Sequence, residues 1–171
     1  GTEKNINFFL KLSKIFKFES NGTSYSIIGL EDGNENIKNI TIPSSYNGKP
    51  VTSIAESAFE DYEYLTNVYI PDSITSIGIK SFAGCSGLTS VNIPSSVTTI
   101  GAGAFSYCDN LKTIEVAVQN LKYCSIEGLL YSKNEEILVA VPATVTSFVI
   151  PSTVTSIGVS AFAGCRFLTS I

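Results

Sequence analysis

The chain has 171 residues, 44% of them hydrophobic and only 15% charged, with a net charge of −4 and no histidine. That apolar content excludes a disordered chain, the acidity excludes a nucleic-acid footprint, and no apolar run approaches the ~18 residues of a membrane-spanning helix. Without histidine the commonest general base and metal ligand is missing, which turns the reading away from catalysis and zinc binding.

The chain opens Gly1-Thr2-Glu3 and contains no Met, so a processed or engineered fragment is expected, in which a removed signal peptide would leave no trace. Phe8, Phe9, Leu12, Ile15 and Phe16 fall on one helical face, with Lys11 and Lys14 off it. This predicts an amphipathic helix, which would either cap a neighbouring element or lie on a membrane surface. Asn21-Gly22 then separates two β-prone runs, Phe16 onward and Tyr25 onward, a strong hairpin signal. Residues 1–38 therefore read as an N-terminal cap. Glu31-Asp32-Gly33-Asn34-Glu35 supplies hard oxygens, but lacks the alternating ligand spacing of a calcium loop and reads as a solvated turn. Asn47-Gly48, within Tyr46-Asn-Gly-Lys-Pro50, predicts a tight turn that lengthens one rim.

From Val51 the chain repeats itself. A shift of 23 residues superimposes Val51-Thr-Ser-Ile54, Ile74-Thr-Ser-Ile77 and Val97-Thr-Thr-Ile100. The same shift aligns Phe59, Phe82 and Phe105, then Leu65, Leu88 and Leu111, and a further copy runs from Phe148 to Ile171. Within a unit, Val91 and Ile93 alternate with polar residues, the mark of a strand with one buried face. Pro94 stops that strand, because it cannot donate to a ladder. Val97–Ile100 is a second extended segment, closed by Gly101 where the chain must turn, as Gly78 and Gly158 close theirs. Ala104-Phe105 is expected in a short helical turn with its ring inward. Each unit is thus a coil that can bury its apolar columns only against the next coil.

Leu88-Thr-Ser-Val91-Asn-Ile93-Pro94, followed by Ile100-Gly101 and Ala104-Phe105-Ser-Tyr-Cys108, resembles the BspA-type (Treponema-type) leucine-rich repeat. The resemblance covers about residues 37–171. The Asn that ladders through the loop in the wider superfamily is replaced here by Pro94 and Val97, as in the BspA-type pattern. The expected fold is α/β and β-rich: a leucine-rich repeat solenoid over 39–171, with parallel strands, short helical turns, an N-terminal hairpin cap and an inserted β-hairpin. The resemblance further implies a secreted or cell-surface protein that adheres to a protein or a glycan-bearing surface, with no cofactor and no catalysis.

The insertion lies at about 117–147. Gly128-Leu-Leu-Tyr131 and Ile137-Leu-Val-Ala-Val141 flank Ser132-Lys-Asn-Glu-Glu136, which predicts a hairpin that either covers the solenoid or protrudes toward a ligand. The chain stops in mid-unit at Leu168-Thr-Ser-Ile171. More repeats or edge-to-edge pairing with another chain would cover that coil. Cys85, Cys108 and Cys165 share one repeat position with Tyr62, an inward, space-filling column, and are expected as buried free thiols, the alternative being a Cys85–Cys108 bridge, for which parallel side-chain vectors are poor geometry; Cys124 has no obvious partner.

The outward register of the first strands supplies the candidate binding residues. If Val68 and Ile70 point inward, then Asn67 and Tyr69 point outward, as do Ser90, Asn92, Thr113 and Glu115, with Thr41 and Val149 as looser equivalents. These line up across coils ~4.8 Å apart in a surface rich in hydroxyl and amide groups. Such a surface either binds a ligand through many weak contacts or merely solvates the sheet, in which case the repeats are a stiff spacer.

Overall fold

The structure, a computed structural model, describes residues 12–171. Phe8 and Phe9 of the expected helix lie outside that range. Phe16, its last member, instead opens a strand. The strands in chain order are β1 (Phe16–Ser20), β2 (Tyr25–Leu30), β3 (Asn39–Thr41), β4 (Ser45–Tyr46), β5 (Lys49–Ile54), β6 (Asn67–Tyr69) and β7 (Ser76–Ile77). There follow β8 (Ser90–Ile93), β9 (Thr99–Ile100), β10 (Thr113–Val116), β11 (Tyr123–Ile126), β12 (Leu129–Ser132), β13 (Ile137–Ala140) and β14 (Ser156–Ile157).

Each coil contributes a strand to one face and a short strand to another. The first-strand face carries two parallel pairs, β3 with β6 and β8 with β10. The second-strand face is continuous from the N-terminus, in the order β1-β2-β5-β7-β9. Between the second strand and the next first strand the chain makes single hydrogen-bonded turns. Ala58, Ser81, Ala104 and Ala161 each donate their N–H to the carbonyl three residues back. The expected helical turns are therefore one turn long.

Phe59, Phe82 and Phe105 sit at the inner side of these turns, buried and stacked with ring centroids 5.2 Å and 5.8 Å apart. Burial of such a ring stabilises by roughly 1.5–3 kcal/mol, and each ring buries only because its neighbour coil supplies the next one. Gly78 and Gly101 are explained by crowding rather than by turning. A Cβ on Gly78 would stand 2.5 Å from the Ala55 carbonyl carbon, and one on Gly101 2.3 Å from the Ile79 nitrogen. Neither adopts a positive φ. These residues are Gly because adjacent coils touch backbone to backbone there.

β1 and β2 form the expected antiparallel hairpin. Its turn is closed by the Asn21 carboxamide oxygen, which accepts the N–H groups of Thr23 and Ser24, an Asx turn. β2 pairs in parallel with β5, so the hairpin extends the second-strand face sideways. Asn47-Gly48 makes a two-residue turn between β4 and β5, with φ of 48° and 76°. Both central residues at positive φ define the turn that matches strand twist in hairpins. Phe18 stacks on Tyr46 at 3.8 Å, fastening the two hairpins together.

The insertion is larger than one hairpin. β11, β12 and β13 form an antiparallel meander, and β13 pairs in parallel with β14. It thus supplies the ladder partner that the C-terminal coil would otherwise lack. Its first strand escaped sequence reading because Tyr123–Ile126 shows no alternation of burial. Asn120, fully buried, fixes its entry. The amide nitrogen donates to the carbonyls of Pro94 and Val97, and the oxygen accepts from the N–H groups of Lys122 and Tyr123.

β9 does not pair with β13. The second-strand ladder stops at Ile100, and two apolar clusters meet in β12: Leu130 belongs to the main core, Leu129 and Tyr131 to the smaller one. A groove of about 350 Å³ opens here between Ile100 and Gly101 on one side and Val139 and Val159 on the other. Behind it lies a cavity of about 10 Å³ flanked by Phe105, Val141 and Ala161. Across the far side of the same joint the coils touch, and Tyr107 N–H donates to the Ala163 carbonyl.

Candidate functional site

The outward residues of the first strands fall into two columns. Thr41 pairs in register with Tyr69, and Asn92 with Glu115; Asn39 pairs with Asn67, and Ser90 with Thr113. The two columns differ in what surrounds them.

No ladder joins β6 to β8, so the first-strand face opens between its two pairs. Val68 is half-buried there, whereas Val91 and Ile114 at the same repeat position are fully buried. A groove of about 440 Å³ crosses this opening. Val68, Tyr69, Ile70 and Asp72 line it from one coil, Asn92, Ile93 and Pro94 from the next, and Glu115, Val116 and Ala117 from the third. Three of the expected residues, Tyr69, Asn92 and Glu115, therefore meet in one concavity. Tyr69 is 61% exposed.

Asn67, Ser90 and Thr113 do not line the groove. The Asn67 amide donates to the Asn39 carboxamide at 2.6 Å and to the Thr66 hydroxyl, so it is engaged in holding β6 to β3. Ser90 stays exposed at the start of β8. Thr113 is half-buried because the β11–β12 turn lies over it: the Ile114 N–H donates to the Gly128 carbonyl, and a Cβ on Gly128 would meet the Thr113 methyl at 2.9 Å. Val149 is 86% exposed on the C-terminal coil.

Sequence reasoning missed Asp72. It follows Pro71 at the point where the next unit has Ser95 after Pro94, and that departure from the repeat was the available signal. With Asp72 and Glu115 both present, the groove adds two carboxylates to the hydroxyl and amide groups expected on this face. Asn120 and Tyr123 were also missed; both hold the insertion in place rather than facing the groove.

The cysteine column has its own chemistry. All four thiols are free. Cys85 and Cys108 are buried and donate S–H to the carbonyls of Phe59 and Phe82, each at 3.1 Å. Cys165, expected buried like these two, is only half-buried on the C-terminal coil, and donates to the Val141 carbonyl of the insertion. Each thiol thus satisfies a carbonyl in the preceding layer, which a plain hydrophobe could not do. Burial pushes the Cys85 thiol up strongly and that of Cys108 up to about 12, so neither is a nucleophile at neutral pH. Among the described residues no group of three or more His, Cys, Asp or Glu could hold a metal ion, and no helix is long and apolar enough to cross a membrane.

The model of the BspA type leucine rich repeat region matches this chain in 6 copies, over residues 31–137 and 142–171. The chain belongs to the BspA-type leucine-rich repeat family. No curated protein matches it. Among solved structures, this BspA-type chain is similar to a leucine-rich repeat protein from Eubacterium ventriosum, at 24% identity and a TM-score of 0.49, over 91% of this chain and 57% of that one. It is similar to the pneumococcal vaccine antigen PcpA, at 16% identity and a TM-score of 0.49, over 92% of this chain and 68% of that one. A leucine rich cell surface protein from Faecalibacterium prausnitzii aligns at 23% identity and a TM-score of 0.40, over 90% and 67%. The BspA-type chain thus spans little more than half the length of the first of these structures.

Proposed function

We propose that this repeat array is a non-enzymatic binding module of a secreted or cell-surface protein, adhesin-like in action, that contacts proteins or glycans through its first-strand face. The observation that carries the reading is the groove in which Tyr69, Asn92 and Glu115, from three successive coils, meet around an exposed ring. A site built from aligned residues of successive repeats is the usual way a solenoid recognises a partner, and an amphipathic tyrosine is a good anchor at an interface. The family supplies the surface location by analogy. Edge-to-edge pairing with a second copy, through the exposed Ile157 of β14, belongs to the same proposal and is read from sedimentation equilibrium.

The test is a binding screen against extracellular-matrix proteins and a glycan array, run with Tyr69→Ala, Asn92→Ala and Glu115→Ala alongside. Saturable binding lost in these variants supports the groove. Saturable binding that survives them moves the site to the 117–147 insertion, and no binding favours a stiff spacer.

A further inference from the structure

The groove has a chemical bias that narrows its partner; the argument rests on the function just proposed. Two of its polar residues, Asp72 and Glu115, are carboxylates, and no Lys or Arg lines it. Among the described residues neither carboxylate enters an ion pair, since the three salt bridges are Lys17–Asp32, Lys80–Glu60 and Arg166–Asp109. What sets these two apart is their place: both face one concavity beside an exposed tyrosine, with no cation in its lining.

The spacing is also informative. Tyr69, Asn92 and Glu115 occupy equivalent positions in successive coils: Asn92 and Glu115 are paired directly across β8 and β10, and Tyr69 stands on the other side of the opening. Asn92, with its short side chain, lies between the other two. The groove of about 440 Å³ thus has an aromatic ring on one side and a carboxylate on the other, the two partners that a planar cation takes.

We propose that the groove receives an arginine side chain from a protein partner. The guanidinium lies against the Tyr69 ring, directs its forked N–H donors at the Glu115 carboxylate and gives a remaining N–H to the Asn92 carboxamide oxygen. Asp72 adds its charge from the groove wall. Arginine fits better than lysine because its flat, weakly hydrated cation can stack and fork at once, whereas an ammonium is a compact, strongly hydrated point. The overall charge of −4 steers such a partner inward from a distance.

The experiment uses the whole chain and three capped peptides, Gly-Gly-Arg-Gly-Gly and its lysine and citrulline counterparts. Binding is followed by chemical shifts of the Asn92 side-chain amide up to about 1 mM peptide. The arginine peptide is expected to bind about tenfold more tightly than the citrulline peptide, and Glu115→Gln to weaken it by about the same factor. Asp72→Asn should weaken it less, and Glu136→Gln, on the distant 132–137 turn, not at all. Equal shifts with citrulline or lysine, an unchanged response in Glu115→Gln, or no shift with arginine each overturn the assignment. If arginine fails while Tyr69→Ala still abolishes capture in the wider screen, the groove stands as a binding site and only its preference for a cation falls. If both fail, both readings fall.

Discussion

The Tyr123 hydroxyl accepts the Ile100 backbone N–H at 2.9 Å, at the residue where the second-strand ladder stops. In the preceding coil Ser76 and Ile77 of β7 pair instead with Thr99 and Ile100 of β9, and the ladder continues strand to strand. One side-chain oxygen therefore stands in for a whole strand. Tyr123→Phe keeps the ring and removes the acceptor, leaving a partly buried donor unsatisfied at a cost of about 1–3 kcal/mol. Urea unfolding should show a lower midpoint with an unchanged slope, and amide exchange at Ile100 should speed up more than at Ile77.

The crowded glycines give a sharper test of the stacking. Gly101→Ala places a methyl 2.3 Å from backbone nitrogen, where no side-chain rotation can relieve it. A loss of about 3 kcal/mol or more is expected. Gly48→Ala is the comparison: nothing lies within 4 Å of its Cβ, and the only penalty is its φ of 76°. Melting temperatures should rank wild type, then Gly48→Ala, then Gly101→Ala.

The phenylalanine column predicts a gradient. Phe82 is stacked on both sides and fully buried, whereas Phe162 is half-buried with Phe148 as its ring neighbour. Phe82→Ala should cost about 3–5 kcal/mol, the range for a buried ring, and Phe162→Ala clearly less. Calorimetry on the two variants separates these outcomes.

Alkaline pH should destabilise the fold through its thiols. Desolvation by burial is the main cause that raises Cys85 and Cys108 from 9.0. Below pH 9 the thiols are protonated folded and unfolded, and no penalty exists. Above it the unfolded chain releases protons that the folded chain keeps, so stability falls by about 1.4 kcal/mol per pH unit for each thiol until the folded form also ionises. Cys85→Ala/Cys108→Ala should flatten the stability profile between pH 9 and pH 11, at lower overall stability. At pH 8, a thiol reagent should leave both residues unmodified in the native protein.

The repeat made much of this architecture readable. A period of 23 with aligned Val, Ile, Phe and Leu columns determines coil stacking, because a coil has no other way to bury those side chains. The strands from β5 through β10 follow from it. The hairpins at Asn21-Gly22 and Asn47-Gly48 were legible for local reasons, since turn chemistry does not depend on distant neighbours. Two kinds of feature were not. Tyr123–Ile126 lacks alternation because it is half-buried along its length, and its pairing depends on residues in β12. The gathering of Tyr69, Asn92 and Glu115 was implied by register, but the break between β6 and β8, which makes a groove of that face, arises from coil geometry that no single residue announces. Thr113 shows the converse: its outward register was legible, but its cover, Gly128, comes from the insertion.

The joint at Ile100 is bonded on one flank and open on the other. Tyr107 and Ala163 hold the far side together, while the groove of about 350 Å³ separates Ile100 from Val159. Bending stiffness is therefore uneven along the array. The Thr144 hydrogen bond to the Leu111 carbonyl, the Arg166–Asp109 ion pair and the packing of Val139 and Ala140 on the main core tie the two parts together around the notch. The array thus carries two notches, one between β6 and β8 on the first-strand face and one beyond Ile100 on the second, so neither face presents an unbroken ladder from end to end.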